Sequence, residues 1–395
     1  MMKKQAGRRW ISDFVLLGIG VLSAMAMNGI TPVLPTIQDA FGGTAAVTLQ
    51  VNLLVTIVGL AMVIGSPLAG VLGRRIGPGA VLLWSLVAYA ATGLAPMFLD
   101  DLRLMIASRF VLGLASATGG TIVIALIATL YQGTERERRI GANLAIGSIS
   151  AMAVVPLCGW LGDLDWHLAF LPHLLVLPFL LALPFCPMLW GRPAAAGPAV
   201  ARPASPRRWP LLLMMVALLS GSVIFSTPVL LPFRLREAGF PGAGLAGQVF
   251  TILVIGSILT SALYGEARRR FTAAQIFAIG YALYAAGLAV LGFGNSLAML
   301  SLGLGIAGFG GGLISPNLFS AAGANPDPER RAHDVGLVKG SYFAGLFVGP
   351  FAMQAAAESI AVAGAVLILA GLAAVLCAAW LLLPARAVVA QSGNS

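Results

Sequence analysis

Charged residues are scarce in this chain. Asp, Glu, Lys and Arg make up 10% of the 395 residues, whereas 59% are hydrophobic, and a soluble globular protein typically carries about 25% charged residues. So few charges could not cover a surface that faces water, so we expect most of the chain to lie in a lipid bilayer. Because the alternating polar and apolar decads of membrane strands are absent, we predict an all-α membrane protein.

Cysteine and histidine are also few, with three of each. Cys158, Cys186 and Cys377 are far apart within or at the ends of apolar runs, so no disulfide or metal spacing is visible. His167 and His173 flank the start of one apolar run, and we interpret both as interfacial histidines rather than ligands. We expect no cofactor, no metal and no enzymatic activity, because the sequence shows neither an acid cluster nor a nucleophile with its base.

Basic residues outnumber acidic ones, 24 to 14. They form short clusters between apolar runs, with no soluble domain to present them as one face, so we expect no nucleic-acid partner. A helix needs about 20 apolar residues to cross the hydrocarbon core of a membrane. The sequence then predicts twelve transmembrane helices, near residues 12–38, 47–72, 78–98, 102–130, 140–162, 167–190, 210–233, 245–265, 273–294, 296–322, 335–357 and 360–384.

One phrase occurs twice, as "NGITPVLPTIQDAFG" from Asn28 and "FSTPVLLPFRLREAGF" from Phe225. Three further pairs share an offset of about 195 residues: Gln50-Val51 with Gln248-Val249, "LAGVLGRRIG" with "LYGEARRRFT", and Val155-Pro156 with Gly349-Pro350. The chain therefore consists of two parallel six-helix repeats, an arrangement of transporters whose halves move about a central site. We predict an N-terminal bundle over 1–190, a cytoplasmic linker over 191–209 and a C-terminal bundle over 210–395.

The Lys and Arg clusters occupy every second gap and both tails, and the other gaps carry mostly acids. The positive-inside rule therefore predicts that both termini are cytoplasmic. The basic start, the apolar run after it and "AMA" at Ala24 also fit the outline of a secretory signal peptide. Cleavage there would destroy the first copy of the phrase and leave an odd number of spans, so we expect this segment to be the first transmembrane helix.

Three motifs resemble the major facilitator superfamily, in the right order and on the right spans. "GVLGRRIGPG" is similar to that family's loop between helices 2 and 3, "RFVLGLASA" to the Arg-x-x-x-Gly of helix 4, and "GSISAMAVVPLCGWLGD" to the helix 5 pattern of exporters. The resemblance covers essentially the whole chain and implies a twelve-helix transporter. The motif residues are Gly70, Arg74, Arg75, Gly77, Gly113 and Pro156, with Pro350 in the second repeat.

The chain departs from the family pattern at two places. Arg74 stands where the family's loop has an aspartate, which docks near the start of helix 11 and holds the cytoplasmic side closed. The start of span 11 here offers Asp334, so the resemblance implies a gating pair of reversed sign. The helix 5 motif has Val155-Pro156 where exporters have Gly-Pro, which weakens the exporter assignment without reversing it.

Ionisable residues inside a membrane are costly and are functional candidates by default. Arg109 lies about two turns into span 4, and Lys339 lies beyond the start of span 11. Asn28 adjoins Gly29 and a proline-rich stretch that we expect to unwind. The candidates for substrate binding or coupling are Asn28, Arg109, Asn143, Phe225, Phe309, Asn317 and Lys339. Each amide could instead bond a neighbouring helix, and we expect Arg234 to extend to the membrane interface.

The pattern predicts a monomeric secondary active exporter of small amphipathic molecules in a cell inner membrane. No acid lies at mid-membrane depth, so proton coupling is implied by the resemblance rather than by a visible carboxylate. The buried cations favour an alternative, a carrier of an organic anion such as a carboxylate or a siderophore-like compound. A non-transporting membrane protein is disfavoured because the loops are short.

Overall fold

The computed structural model describes residues 2–190, 208–323 and 328–382, and these ranges contain helices and no strands. The α-helices are α1 Met2–Gly18, α2 Gly20–Asn28, α3 Leu34–Ala40, α4 Ala45–Ile76, α5 Pro78–Leu94, α6 Leu102–Leu130, α7 Gly133–Leu164, α8 Val176–Ala182, α9 Arg208–Glu237, α10 Ala243–Arg270, α11 Ala273–Phe293, α12 Leu297–Ala322 and α13 Pro328–Leu382. Segments of 3₁₀ helix cover Thr31–Val33, Ala95–Phe98, Trp166–Leu175, Leu183–Phe185 and Pro187–Leu189.

Eleven of the described helical segments are long and apolar enough to cross a membrane. The last, Asp334–Leu382, has 49 residues, which would span roughly 74 Å as one helix, against about 30 Å of hydrocarbon. It breaks at Ile360 and Ala361, where the backbone leaves the helical region. Counted as two helices, it brings the total to twelve and confirms the predicted fold class.

The chain divides into two compact units, Met1–Val200 and Ala201–Ser395. Most of the predicted linker, 191–207, lies outside the described residues, so its conformation and the bundle boundaries remain predictions. Six of the candidate spans belong to the first unit and five, including the broken one, belong to the second.

Glycine allows close helix packing in the N-terminal unit. A Cβ atom on Gly113 of α6 would lie 2.7 Å from the Ala61 Cβ and 2.8 Å from the Val58 carbonyl oxygen of α4. The glycine of the Arg-x-x-x-Gly motif is therefore the point at which α4 and α6 approach each other, and any side chain there would force them apart.

Glycine also allows close helix packing in the C-terminal unit, between α9 and α13. A Cβ atom on Gly345 would lie 2.5 Å from the Leu218 carbonyl oxygen, and one on Gly221 would overlap the carbonyl oxygen of Tyr342. Small residues that let backbones approach are the usual basis of helix association in lipid. Glycine on each of the two helices therefore sets their separation.

The two copies of the repeated phrase adopt different conformations. In the first copy α2 ends at Asn28 and the chain runs through the 3₁₀ segment Thr31–Val33 before α3. In the second copy Thr227-Pro228 lies inside the uninterrupted helix α9. The predicted unwinding is present beside Asn28, and the second copy remains helical despite its two prolines.

Candidate functional site: a buried arginine–histidine pair

Arg109 is the largest fully buried side chain of the described residues, with 0% of its surface exposed. It lies on α6, one turn before Gly113. Its Nη1 is 3.2 Å from Nε2 of His173, and its guanidinium carbon is 5.0 Å from the centre of the Phe170 ring. Nε and Nη2 have no hydrogen-bond partner, so the cation is held by one ring nitrogen and one aromatic face.

His173 is fully buried, and its interpretation as an interfacial residue is wrong. It lies on the 3₁₀ segment Trp166–Leu175, which carries it inward from the start of span 6. Its Nδ1 is 2.9 Å from the Phe170 carbonyl oxygen. A carbonyl only accepts, so Nδ1 carries the proton and Nε2 offers its lone pair to the Arg109 N–H. No local sequence signal separates the two histidines, because both lie near the start of the predicted span.

His167, by contrast, is only half-buried, at the start of the same segment, and its location at the membrane interface remains a prediction. Asp165 accepts a hydrogen bond from the His167 backbone N–H at 2.9 Å and lies 2.8 Å from its ring Nδ1. These two contacts lower the pKa of Asp165. A second acid, Asp100, lies 3.5 Å from the other ring nitrogen. Two acids, Asp100 and Asp165, therefore face His167.

Tyr89 and Cys158 complete the surroundings of the pair. The Tyr89 hydroxyl donates to the Leu22 carbonyl at 2.8 Å, and its ring centre is 5.7 Å from that of His173. Cys158 is a buried free thiol on α7. The pair is thus enclosed by side chains from several helices of one unit, and the groups named around it include no carboxylate.

The three candidate asparagines differ in their surroundings. Asn143 is buried and donates to the carbonyl oxygens of Leu16 and Leu17, at 2.8 and 3.2 Å, so it fastens α7 to α1. Asn317 is also buried; it donates to the carbonyl oxygen of one helix and accepts from a tyrosine of another. Both amides have the helix-bonding role that was left open. Asn28 is half-buried, and its amide donates to the Ala24 carbonyl at 3.4 Å, at the end of α2.

Phe225 belongs to an aromatic cluster in the C-terminal unit. Its ring centre is 5.0 Å from that of Tyr342 and 6.1 Å from that of Phe343. The ammonium of the exposed Lys339 lies 6.0 Å from the Phe343 ring centre. Phe309 is not part of the cluster and is 38% exposed. The cluster combines apolar faces with one available cation.

The residues of the loop motif lie at the end of α4. Arg74 and Arg75 are exposed in its last turn, where positive charge is favoured by the helix dipole. Gly77 ends the helix with φ of 86°, a conformation that only glycine adopts readily. The exposed Gly70 lies two turns earlier, and Pro156 and Pro350 lie inside α7 and α13.

Arg234 is buried rather than extended to the interface, so that expectation is wrong. Its guanidinium donates to the carbonyl oxygens of Leu291, Gly292 and Gly294 at 3.2, 3.2 and 2.6 Å. These carbonyls lie at the C-terminal end of α11, where the helix has no internal donors for them. Arg234 therefore has a structural role, because it satisfies the last carbonyl oxygens of α11.

Asp13 of α1 contacts α7 and the residue that follows α6, at the other end of the N-terminal unit. It forms an ion pair with Arg139 of α7 and accepts a hydrogen bond of 2.7 Å from the Tyr131 hydroxyl. Burial and this hydrogen bond raise the pKa of Tyr131 to about 12. Asp13, the one acid within the predicted span 1, therefore belongs to a structural cluster of side chains. It lies near the start of that span and not at mid-membrane depth.

In the part of the chain that the structure describes, eleven candidate spans, twelve when the broken one is counted as two, lie in two units with polar side chains buried inside each. They define a polytopic membrane protein of transporter architecture. The family model of the Major Facilitator Superfamily matches residues 16–271 and 241–394. The chain belongs to this superfamily.

Curated relatives include two tetracycline resistance proteins. The class C protein of Escherichia coli is 26% identical over 295 residues, 71% of this chain and 73% of that protein. The class H protein of Pasteurella multocida is 28% identical over 160 residues, so the match spans only 40% of its length and of this chain. The bacillibactin exporter of Bacillus subtilis (strain 168) is 24% identical over 152 residues, 37% of each chain.

Solved transporter structures have the same fold. The nucleoside transporter NupG superposes with a TM-score of 0.74 at 14% identity, covering 93% of this chain and 99% of that one. The D-xylose-proton symporter gives a TM-score of 0.73 at 14% identity, covering 94% and 96%.

Proposed function

We propose that the chain is a secondary active transporter that exports small amphipathic molecules by alternating access. The observation that carries the proposal is the similarity of 71% of the chain to a tetracycline resistance protein. A cation buried inside the N-terminal unit and an aromatic cluster with an exposed lysine in the C-terminal unit support it, because intramembrane charge marks substrate or ion pathways. We further propose that the protein works as a monomer in the inner membrane.

Everted membrane vesicles containing the protein test this function. Tetracycline, bacillibactin and a fluorescent apolar amine are supplied outside the vesicles with an imposed proton gradient, and accumulation is compared with that in vesicles lacking the chain. We expect at least one compound to accumulate in the vesicles, and this accumulation should be lost when the proton gradient is collapsed. If none of a broad set of amphipaths accumulates, the exporter assignment is wrong.

A second candidate function is transport of an organic anion. Lys339 is exposed beside the Phe343 ring, and an anion with an aromatic or apolar body could use both. The same vesicles discriminate the two functions, because an anion carrier would transport a carboxylate such as benzoate and leave the amine outside.

Both termini are proposed to be cytoplasmic, on the distribution of Lys and Arg. A reporter fused after Ser395 and another inserted near Pro203 should both give cytoplasmic signals. A periplasmic signal from either would contradict the proposed orientation.

The reversed gate is proposed from the family resemblance and from Arg74 at the end of α4. An exposed ion pair contributes about 1 kcal/mol at most, which shifts a two-state equilibrium about fivefold. Arg74→Asp alone should place two acids together, favour the inward-open state and so reduce the transport flux. Adding Asp334→Arg should restore part of the lost flux. If the flux of the double variant is no higher than the value expected from adding the effects of the two single changes, the residues do not interact.

A further inference from the structure

The geometry of the Arg109–His173 contact fixes which ring nitrogen of His173 can take up a proton. His173 uses both ring nitrogens: Nδ1–H donates to the Phe170 carbonyl, and Nε2 accepts from Arg109. A proton that enters the ring must therefore go to Nε2. Protonation would set two N–H donors and two positive charges against each other across 3.2 Å, with no acceptor between them.

Arg109 cannot relieve this conflict by losing its own proton, because a guanidinium stays protonated in proteins. The only remaining response is separation of the two side chains. Its Nε and Nη2 are unengaged where it now lies, so leaving costs the guanidinium only the Nη1 contact and the contact with the Phe170 ring. Protonation of His173 and the Arg109–His173 contact thus exclude each other.

The other groups near the pair do not offer an alternative proton carrier at neutral pH. Tyr89 faces His173 from α5, Cys158 is buried on α7, and Arg109 comes from α6; tyrosine and cysteine ordinarily ionise well above neutrality. Asp165, at the start of the same segment, and Asp100, just before α6, contact His167 instead. Histidine is the side chain whose charge ordinarily changes near neutral pH.

We propose that His173 is the proton-carrying residue of the N-terminal unit and that Arg109 gates it. This inference rests on the proposed transport function. The proton binds Nε2 from one aqueous phase as Arg109 moves away. It is released into the opposite aqueous phase when Arg109 moves back. A neutral imidazole and a permanent cation thereby take the coupling role for which no carboxylate is visible in the sequence at mid-membrane depth.

The first test measures the proton directly, without transport. Purified protein carrying ring-labelled ¹⁵N-histidine is titrated by NMR, and His167→Gln and His173→Gln assign the signals. His173 is expected as the neutral Nδ1–H form at pH 7. In Arg109→Gln, which removes the opposing charge, the midpoint of His173 protonation should rise by one pH unit or more. An Nε2–H tautomer in the wild type, or an unchanged midpoint of His173 protonation in the variant, would contradict the proposal that Arg109 controls the protonation of His173.

The second test measures coupling in proteoliposomes with a compound that the vesicle assay identifies. His173→Gln, which can still accept from Arg109, should lose gradient-driven accumulation tenfold or more and retain exchange of substrate at equal concentrations. Retained exchange shows that this variant is folded. The matched control, His167→Gln, should accumulate substrate like the wild type.

The outcomes separate the two proposals. If His173→Gln accumulates substrate with the pH profile of the wild type, His173 does not carry the proton and the transport function stands. If the wild type itself transports nothing, the proposed function and the coupling role fail together, while the NMR titration still decides whether Arg109 controls the protonation of His173.

Discussion

Replacing Arg109 with Met is expected to abolish gradient-driven transport while leaving the protein at least as stable as the wild type. The buried guanidinium leaves Nε and Nη2 without partners, and an unpaired buried donor costs about 1–3 kcal/mol. An apolar side chain of similar length removes the buried charge and its two unpaired donors, and it leaves one unpaired acceptor, Nε2 of the neutral His173. Because no uncompensated charge remains, the net effect on stability should be neutral or favourable. A loss of flux of about tenfold or more, equivalent to about 1.4 kcal/mol, with an unchanged or higher melting temperature is the expected pair of results.

The control is Arg103→Met, which makes the same change on the same helix at an exposed position. It should leave both flux and melting temperature close to those of the wild type. Arg109→Lys separates charge from shape, because lysine keeps the cation but not the planar fork of donors. If Arg109→Met aggregates or melts well below the wild type, Arg109 holds the helices together and has no place in the transport cycle.

Gly221→Ala is expected to destabilise the C-terminal unit more than any surface substitution. The added Cβ would overlap the Tyr342 carbonyl oxygen, which is backbone and cannot rotate away. Helices α9 and α13 must separate, and overpacking of a core typically costs about 1–3 kcal/mol. We expect a value at or above the upper end of that range, measured as a lower melting temperature and a loss of the monodisperse peak in size-exclusion chromatography.

Gly371→Ala is the matched control, since a Cβ at Gly371 would meet nothing within 4 Å. Alanine is the better helix former by about 0.8–1.0 kcal/mol in soluble helices, so this variant should be as stable as the wild type or slightly more stable. Equal melting temperatures for the two variants would show that α9 and α13 can separate without cost, contrary to the packing described above.

The architecture could be predicted from the sequence because its causes are local or repetitive. The scarcity of charge places the chain in lipid, where backbone groups must be satisfied internally and helices follow. The length of the apolar runs sets the number of spans, and the constant offset of the paired motifs sets the two repeats. The helix break near Asn28 was predicted from Gly29 and the prolines that follow it.

Side-chain partners could not be predicted in this way, because they come from helices far apart in sequence. Arg109 and His173 are 64 residues apart, and a histidine near a span start is as compatible with the interface as with the interior. Tertiary packing decided that His173 turns inward and His167 outward. It likewise decided that Asn143 and Asn317 bond neighbouring backbones while Lys339 stays exposed.

The sequence by itself determined that this protein is a twelve-helix membrane transporter of duplicated design, because hydrophobicity, span length and repeated motifs are properties of the chain alone. Only the tertiary structure decided which polar groups meet. Local sequence did not separate the two copies of the Thr-Pro-Val-Leu phrase, one unwound and one helical, nor mark Arg109 as a cation with a neutral partner. Both depend on the neighbours that packing brings to each side chain, since an unsatisfied group costs more in a low-dielectric interior than in water.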